Sequence, residues 1–173
     1  MTDLRAIQAP LKERYRTSPG AALITLRAEG HLGEGVTCSM STGKALVEAG
    51  LHPATGGSGT QACSGDMLLE ALVACAGVTL SAVATSLGIP LQGGTLRAEG
   101  DLDFRGTLGV SKDVPVGFKD IRLEIALEST ASADQLKKLL ELTERYCVVL
   151  QTLKAAVPVR AGYGTNPSTR PKA

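Results

Sequence analysis

From Ala71 to Leu87 the chain carries no charged side chain: ALVACAGVTLSAVATSL. Few structures accept such a run. At about 17 residues it stands at the lower limit for crossing a bilayer. It is rich in Ala, Ser and Thr, and no basic cluster brackets it. Segments of alternating polarity surround it, so it reads as a buried helix of a soluble, cytoplasmic protein and not as a membrane span. Ser64 offers an N-cap, Asp66 a first-turn carboxylate, and Gly88 followed by Pro90 a stop. A helix over Ser64–Leu87 is roughly 35 Å long, enough to cross a small domain. It is apolar on every side and must be covered on every side. One sheet covers only one side, and a second chain is the simplest source of the remaining cover.

The rest of the composition narrows the function classes. At 173 residues one domain is expected, able to bury about two-thirds of its unfolded surface without staples. Aromatic residues are 3% and Trp is absent, so the core must be assembled from Ala, Val and Leu. Stacking platforms for bases are not expected. The net charge is +1, without a basic stripe, which argues against nucleic acid as a partner. The opening MTDLRAIQAPLKERYR has no apolar stretch of the kind that directs secretion. The thiols of Cys38, Cys63, Cys75 and Cys147 are therefore expected to be free, catalytic or redox-sensing, and not a structural disulfide framework. No two are spaced C-x-x-C, and His31 and His52 are not placed for a zinc site. The glycine-rich GLHPATGGSGTQA lacks the spacing and the Lys of a phosphate loop. No metal and no cofactor is expected.

Along the chain, residues 1–20 are polar and interrupted by Pro10 and Pro19, which suggests a loose arm or a strand lent to a partner. Residues 21–163 read as one domain, and residues 164–173 as a disordered tail. Ala22–Gly30 and Gly35–Ser41 read as a strand and its return. Val36, Cys38 and Met40 share a face there, with Cys38 a small core hydrophobe. Gly93–Gly106 and Gly117–Ser129 read as further strands. In the latter Ile121, Leu123, Ile125 and Leu127 alternate with polar neighbours, the mark of a half-exposed antiparallel strand. TLRAEG occurs at Thr25 and again at Thr95, a hint of two similar sheets or halves. Ser132 and Gln135 form a capping box. The helix it opens carries Leu136, Leu139, Leu140, Thr143, Cys147 and Leu150 on one stripe. Ala155–Tyr163 reads as a final strand, at an edge because of Pro158.

Cys75 thus sits on an all-apolar helix and Cys147 on the inward stripe of another. If those helices pack, their sulfurs can meet, and a close pair supports two-step redox chemistry: a thiolate becomes a sulfenic acid, and the second thiol condenses with it. The opposing reading is structural. A buried thiol in apolar surroundings has a raised pKa and is inert unless a cation, a helix N-terminus or hydrogen bonds favour the thiolate. By the residues alone, two buried cysteines are core fillers more often than reagents.

The stretches SGDMLLEALVACAGVTLSAVATSLGIPL, LDFRG, PVGFKDIRLEI and LLELTERYCVVLQTLKAAVPV, in that order, resemble the OsmC/Ohr family of osmotically inducible and organic hydroperoxide resistance proteins. The resemblance covers about residues 20–163. It implies an α+β fold in which two curved antiparallel sheets wrap long central helices and two chains intertwine as a homodimer. It implies thiol-dependent reduction of small organic hydroperoxides, with Cys75 as the peroxidatic and Cys147 as the resolving cysteine, and an external dithiol, of lipoyl type, as reductant. There are departures. The family's peroxidases hold a glutamate just ahead of the central helix, where this chain offers only Asp66, taken here as a candidate catalytic carboxylate. Its other reading is a first-turn residue that satisfies the helix dipole. They also place an arginine in the N-terminal hairpin; here EGHLGEG holds His31, with Arg27 nearby in sequence. Val148 stands where the family has Pro, and Cys63 is an additional thiol read as a bystander. The rival reading is a family member without peroxidase activity that binds a small apolar ligand at the dimer interface.

Overall fold

The structure, a computed structural model, describes residues 4–32, 38–40 and 49–162. In chain order the elements are α1 (Leu4–Thr17), β1 (Leu23–Leu32), β2 (Cys38–Met40), β3 (Ala49–Gly50), β4 (Ala62–Cys63), α2 (Ser64–Leu87), β5 (Gly93–Asp103), α3 (Phe104–Thr107), β6 (Phe118–Glu128), α4 (Ala133–Tyr146) and α5 (Val148–Lys154). One antiparallel sheet has the order β2-β1-β5-β6, and β3 and β4 make a short parallel pair. The class is α+β, as the family resemblance implies.

The repeated hexapeptide folds against itself. Its copies lie on β1 and β5, paired antiparallel with Ala28 opposite Ala98, Arg27 opposite Glu99 and Glu29 opposite Arg97. A strand that is apolar and small at its centre and oppositely charged on either side complements its own reverse. The expectation of two similar sheets or halves is corrected: the copies are neighbours in one sheet. On β6 the expected alternation holds. Ile121, Leu123, Ile125 and Leu127 turn inward, while Arg122 on the other face bonds Asp101 and Asp120 at 2.6 Å each.

Across the inner face of the sheet lies α2, with Leu69, Leu72, Val73, Ala76 and Leu80 fully buried. Its length and hydropathy would allow it to cross a membrane, yet here it is the central helix of a mixed fold. Gly88 ends it with φ 64. The N–H of Gly88 returns to the Thr85 carbonyl and that of Ile89 to Ala84, the paired closure that a left-handed glycine makes possible. The start differs by one residue from expectation: Cys63 is the N-cap, Ser64 is the first helical residue, and no side chain caps the turn. A short connection then leads into β5. Gly100 on β5 is required by close approach, because a Cβ there would come within 2.5 Å of the Phe118 ring.

Three further differences have physical causes. Residues 4–17 are helical despite Pro10. Ile7, Leu11 and Tyr15, spaced i, i+4, i+8, give α1 an inward stripe. Tyr15 is buried, and its hydroxyl donates to the Ala54 carbonyl at 2.6 Å. That packing outweighs the one helical bond Pro10 cannot make. Residues 155–162 are not a strand; they run exposed beyond α5, with Val159 89% accessible. The helix expected to run through Cys147 is two helices, and that break shapes the site below. Val36, Tyr163 and the 164–173 tail lie outside the described residues, as do the side chains of Cys38 and Met40, read above as core.

Candidate thiol site

Cys75 lies in the middle of α2, two turns from any end effect, and is half-buried. Cys147 is fully buried and belongs to no helix: with φ −69 and ψ 106 it closes α4 and opens α5. Its N–H still bonds the Thr143 carbonyl at 2.9 Å, and its own carbonyl receives the N–H of Gln151 at 2.9 Å. Between those bonds the chain turns, and the first amides of α5 are left without partners inside the helix. Those of Val148 and Val149 act on the Cys75 thiol, and those of Leu150 and Val149 on Cys147.

The two thiols are neighbours and each alters the other. Burial pushes the Cys75 thiol up, but the amide of Val149, the Cys147 thiol, the Thr79 hydroxyl one turn along α2 and the amide of Val148 favour its thiolate, and the balance lies below the ordinary thiol value. Cys147 goes the other way. Burial raises it first; the amides of Leu150 and Val149 pull it down, and the neighbouring Cys75 holds its proton on. The pair is therefore asymmetric: the half-buried Cys75 thiol is drawn below the ordinary thiol value and the fully buried Cys147 thiol is pushed above it. Both are free. At Cys75 backbone amides at the start of α5 oppose the effect of burial.

Asp66 is not brought to this pair. The unbroken α2 begins at Ser64, so Asp66 and Cys75 stand nine residues apart on one helix, about 13 Å along its axis and on opposite faces. Asp66 sits instead in the first turn beside His52. Burial raises its carboxyl and His52 partly offsets the rise. The His52 ring stacks on Phe104 with centroids 5.1 Å apart, and its Nδ1 accepts the N–H of Ala54 at 3.0 Å. Cys63 caps the start of the same helix, about 18 Å along the axis from Cys75, too far to link with it within one chain. His31 is on β1, opposite Thr95 and Ser39 in register, with its side chain exposed. The side chain of Arg27 lies outside the described residues. Among the described residues no group of three or more His, Cys, Asp or Glu side chains could hold a metal.

Sequence reasoning missed the amides of Val148 and Val149 and the hydroxyl of Thr79. Thr79 follows Cys75 by four residues, a spacing visible in the sequence. The helix break that frees the amides has no such signal beyond the β-branched pair after Cys147.

A family model described as "OsmC-like protein" matches residues 57–161. No curated protein matches the chain. Among solved structures, an OsmC-like hydroperoxide resistance protein from Jannaschia sp. CCS1 superposes with a TM-score of 0.60 at 18% identity, covering 84% of this chain and 96% of that one. An OsmC-like protein from Mycoplasma pneumoniae superposes with a TM-score of 0.55 at 16% identity, covering 78% and 86%.

Proposed function

The chain belongs to the OsmC-like family, and from that premise we propose that it is a thiol-dependent peroxidase that reduces small organic hydroperoxides through Cys75 and Cys147. The observation that carries this reading is the asymmetric neighbouring pair: the half-buried Cys75 thiol is drawn below the ordinary thiol value and the buried Cys147 thiol is pushed above it.

The chemistry follows from that asymmetry. The Cys75 thiolate attacks the terminal oxygen of the hydroperoxide; an S–O bond forms, the O–O bond breaks, and an alkoxide leaves. The alkoxide takes the proton of the Cys147 thiol and departs as an alcohol. Cys75, now a sulfenic acid, no longer carries the charge that held that proton in place. The Cys147 thiolate then attacks the Cys75 sulfur, the disulfide forms, and hydroxide leaves to be protonated by solvent. Both sulfurs are oxidised and the peroxide is reduced by two electrons. An external dithiol, of lipoyl type by family resemblance, returns the disulfide to thiols.

Cys75 opens on a face of α2 where Met67, Leu68 and Val78 are 37%, 37% and 40% exposed. Such a face favours an alkyl group over hydrogen peroxide, and in this reading a second copy of the chain covers it as a homodimer. Asp66 of the same chain takes no part; a carboxylate at Cys75 would come from that second copy. Free thiols of this kind persist in a reducing compartment, and the reading assigns the protein to the cytoplasm.

The test is mass spectrometry of the reduced protein before and after one equivalent of cumene hydroperoxide. A Cys75–Cys147 disulfide is expected. A Cys75→Ser variant loses turnover, and a Cys147→Ser variant leaves a sulfenic acid that dimedone traps on Cys75. No mass change, or oxidation confined to Cys63, overturns the reading in favour of a non-peroxidase that binds an apolar ligand.

A further inference from the structure

After Cys147 redirects the chain, α5 packs on α2 and α4 and stands off β6, leaving a cleft of about 350 Å³. Its walls are apolar: Leu72 of α2, Phe118, Ile121 and Leu123 of β6, and Leu150 and Leu153 of α5. Its mouth carries Lys119, Asp120 and Lys154. Asp120 is held by Arg122 at 2.6 Å and Lys154 by Glu144 at 3.0 Å. Lys119 has no ion-pair partner among the described residues. Its field reaches Asp103, whose carboxylate Arg105 already holds at 2.6 Å.

The backbone places Lys119 there. On β5 Asp101 pairs with Asp120 and the next residue, Leu102, pairs with Phe118, so Lys119 is the extra residue of a bulge. Lys119, two residues before Ile121, shares the inward face with Ile121 and Leu123 by regular alternation, and Phe118 would face away. The bulge brings the Phe118 ring round to that side, and both side chains line the cleft. An apolar trough with a cation at its mouth, unpaired among the described residues, matches a molecule with an alkyl chain and one negative end.

We propose that this cleft binds an amphipathic carboxylate of the fatty-acid type, with its alkyl chain between β6 and α5 and its carboxylate on Lys119, Lys154 assisting. The chain's own last residues are a poor occupant. Tyr163–Ala173 contains Arg170 and Lys172 and no acidic residue, so it meets like charge at the mouth. Binding would also reach the thiols. Leu150 and Leu153 belong to α5, whose first amides support the Cys75 thiolate. A ligand wedged against α5 fixes those amides and alters how Cys75 reacts. The inference stands apart from the peroxidase reading, because it concerns a ligand that is not consumed.

The test is calorimetric titration of the full chain with sodium laurate below its micelle concentration, with methyl laurate as the neutral control. One laurate per chain is expected, binding roughly tenfold more weakly to Lys119→Glu, a loss of about 1.4 kcal/mol, and normally to Lys119→Arg. Lys119 is exposed, so both variants keep the fold, which circular dichroism checks. Laurate should also change the rate at which monobromobimane alkylates Cys75 severalfold. Any of four results overturns the proposal: equal binding of the methyl ester, affinity indifferent to charge at position 119, tighter binding after removal of residues 163–173, or binding that weakens as protein concentration rises. The third makes the tail the occupant and the fourth a second copy.

Discussion

Cys75 and Cys147 differ less in chemistry than in what surrounds them. Burial opposes thiolate in both, and only Cys75 has enough opposing donors to finish below the ordinary thiol value. The pH profile of alkylation, read residue by residue by mass spectrometry, should therefore reach half-maximal rate for Cys75 at lower pH than for a free cysteine. Cys147 should stay unmodified until the solution is alkaline. Cys147→Ala removes one donor and should move the Cys75 midpoint upward; Thr79→Val should do the same by less. If the Cys75 midpoint sits at or above that of a free cysteine, the asymmetry is not there. Asp103 is a second residue whose surroundings decide its charge. It is 1% exposed, caps α3 through the N–H of Arg105, and binds that guanidinium at both oxygens. Arg105 holds its carboxyl below the ordinary value against the opposing effect of burial. A depressed carboxyl stabilises the fold fully above its unfolded pKa, near pH 4, and the contribution is lost as pH falls through the depressed folded value. Asp103→Ala should cost about 2 kcal/mol in urea unfolding at pH 7, and the gap to wild type should narrow in acid.

At the level of the element, the break at Cys147 converts a helical stripe into a site. A continuous helix would keep the amides of Val148 and Val149 bonded within itself. Because Cys147 is extended, those amides are free to act on the Cys75 thiol. Proline is tolerated as the first residue of a helix, and the residue before it is driven to extended backbone; Cys147 already has ψ 106. Val148→Pro should leave α5 intact by circular dichroism while removing one amide from Cys75, raising its alkylation midpoint modestly; a midpoint that does not move means the Val148 amide plays no part. The same break explains what was legible beforehand. Local chemistry spoke clearly where one residue type decides the outcome: Ser132 and Gln135 form the capping box at 3.3 and 3.0 Å, and Gly88 ends α2. The alternation on β6 was equally plain. It spoke poorly where tertiary packing decides. Pro10 looked like a breaker, yet Tyr15 and Leu11 anchor α1 on the core. Val157 and Val159 looked like a strand, yet within one chain they pair with nothing described. The pairing of the TLRAEG copies was written in the sequence as charge complementarity, but the sequence does not say that two like segments must be neighbours. For the site, the two cysteines were legible as positions on buried faces. Their relative acidity was not, because it comes from backbone amides.

The molecule as a whole leaves its most apolar helix partly uncovered. Only eight of the 24 residues of α2 are buried, while Met67, Leu68, Val78 and Leu87 are each more than a third exposed. An apolar face of this kind on a central helix is costly in water and cheap against a second copy of itself. The homodimer proposed above makes a definite demand on Val78, three residues from Cys75 and 40% exposed. In a lone chain, arginine at that position reaches solvent and changes little. Across a twofold interface it meets its own copy or an apolar surface, and an unpaired charge there is strongly unfavourable. Light scattering on wild type should give a mass of about twice 17.8 kDa, the simplest symmetric assembly. Val78→Arg should give a single chain with an unchanged circular dichroism spectrum. Because the Cys75–Cys147 contact is made within one chain, the monomeric variant should still form that disulfide with cumene hydroperoxide. Bimane should label its Cys75 faster, since the cover is gone. A wild-type protein that scatters as one chain would leave the exposed face of α2 without its partner, and selectivity for alkyl hydroperoxides would then have to arise within a single chain.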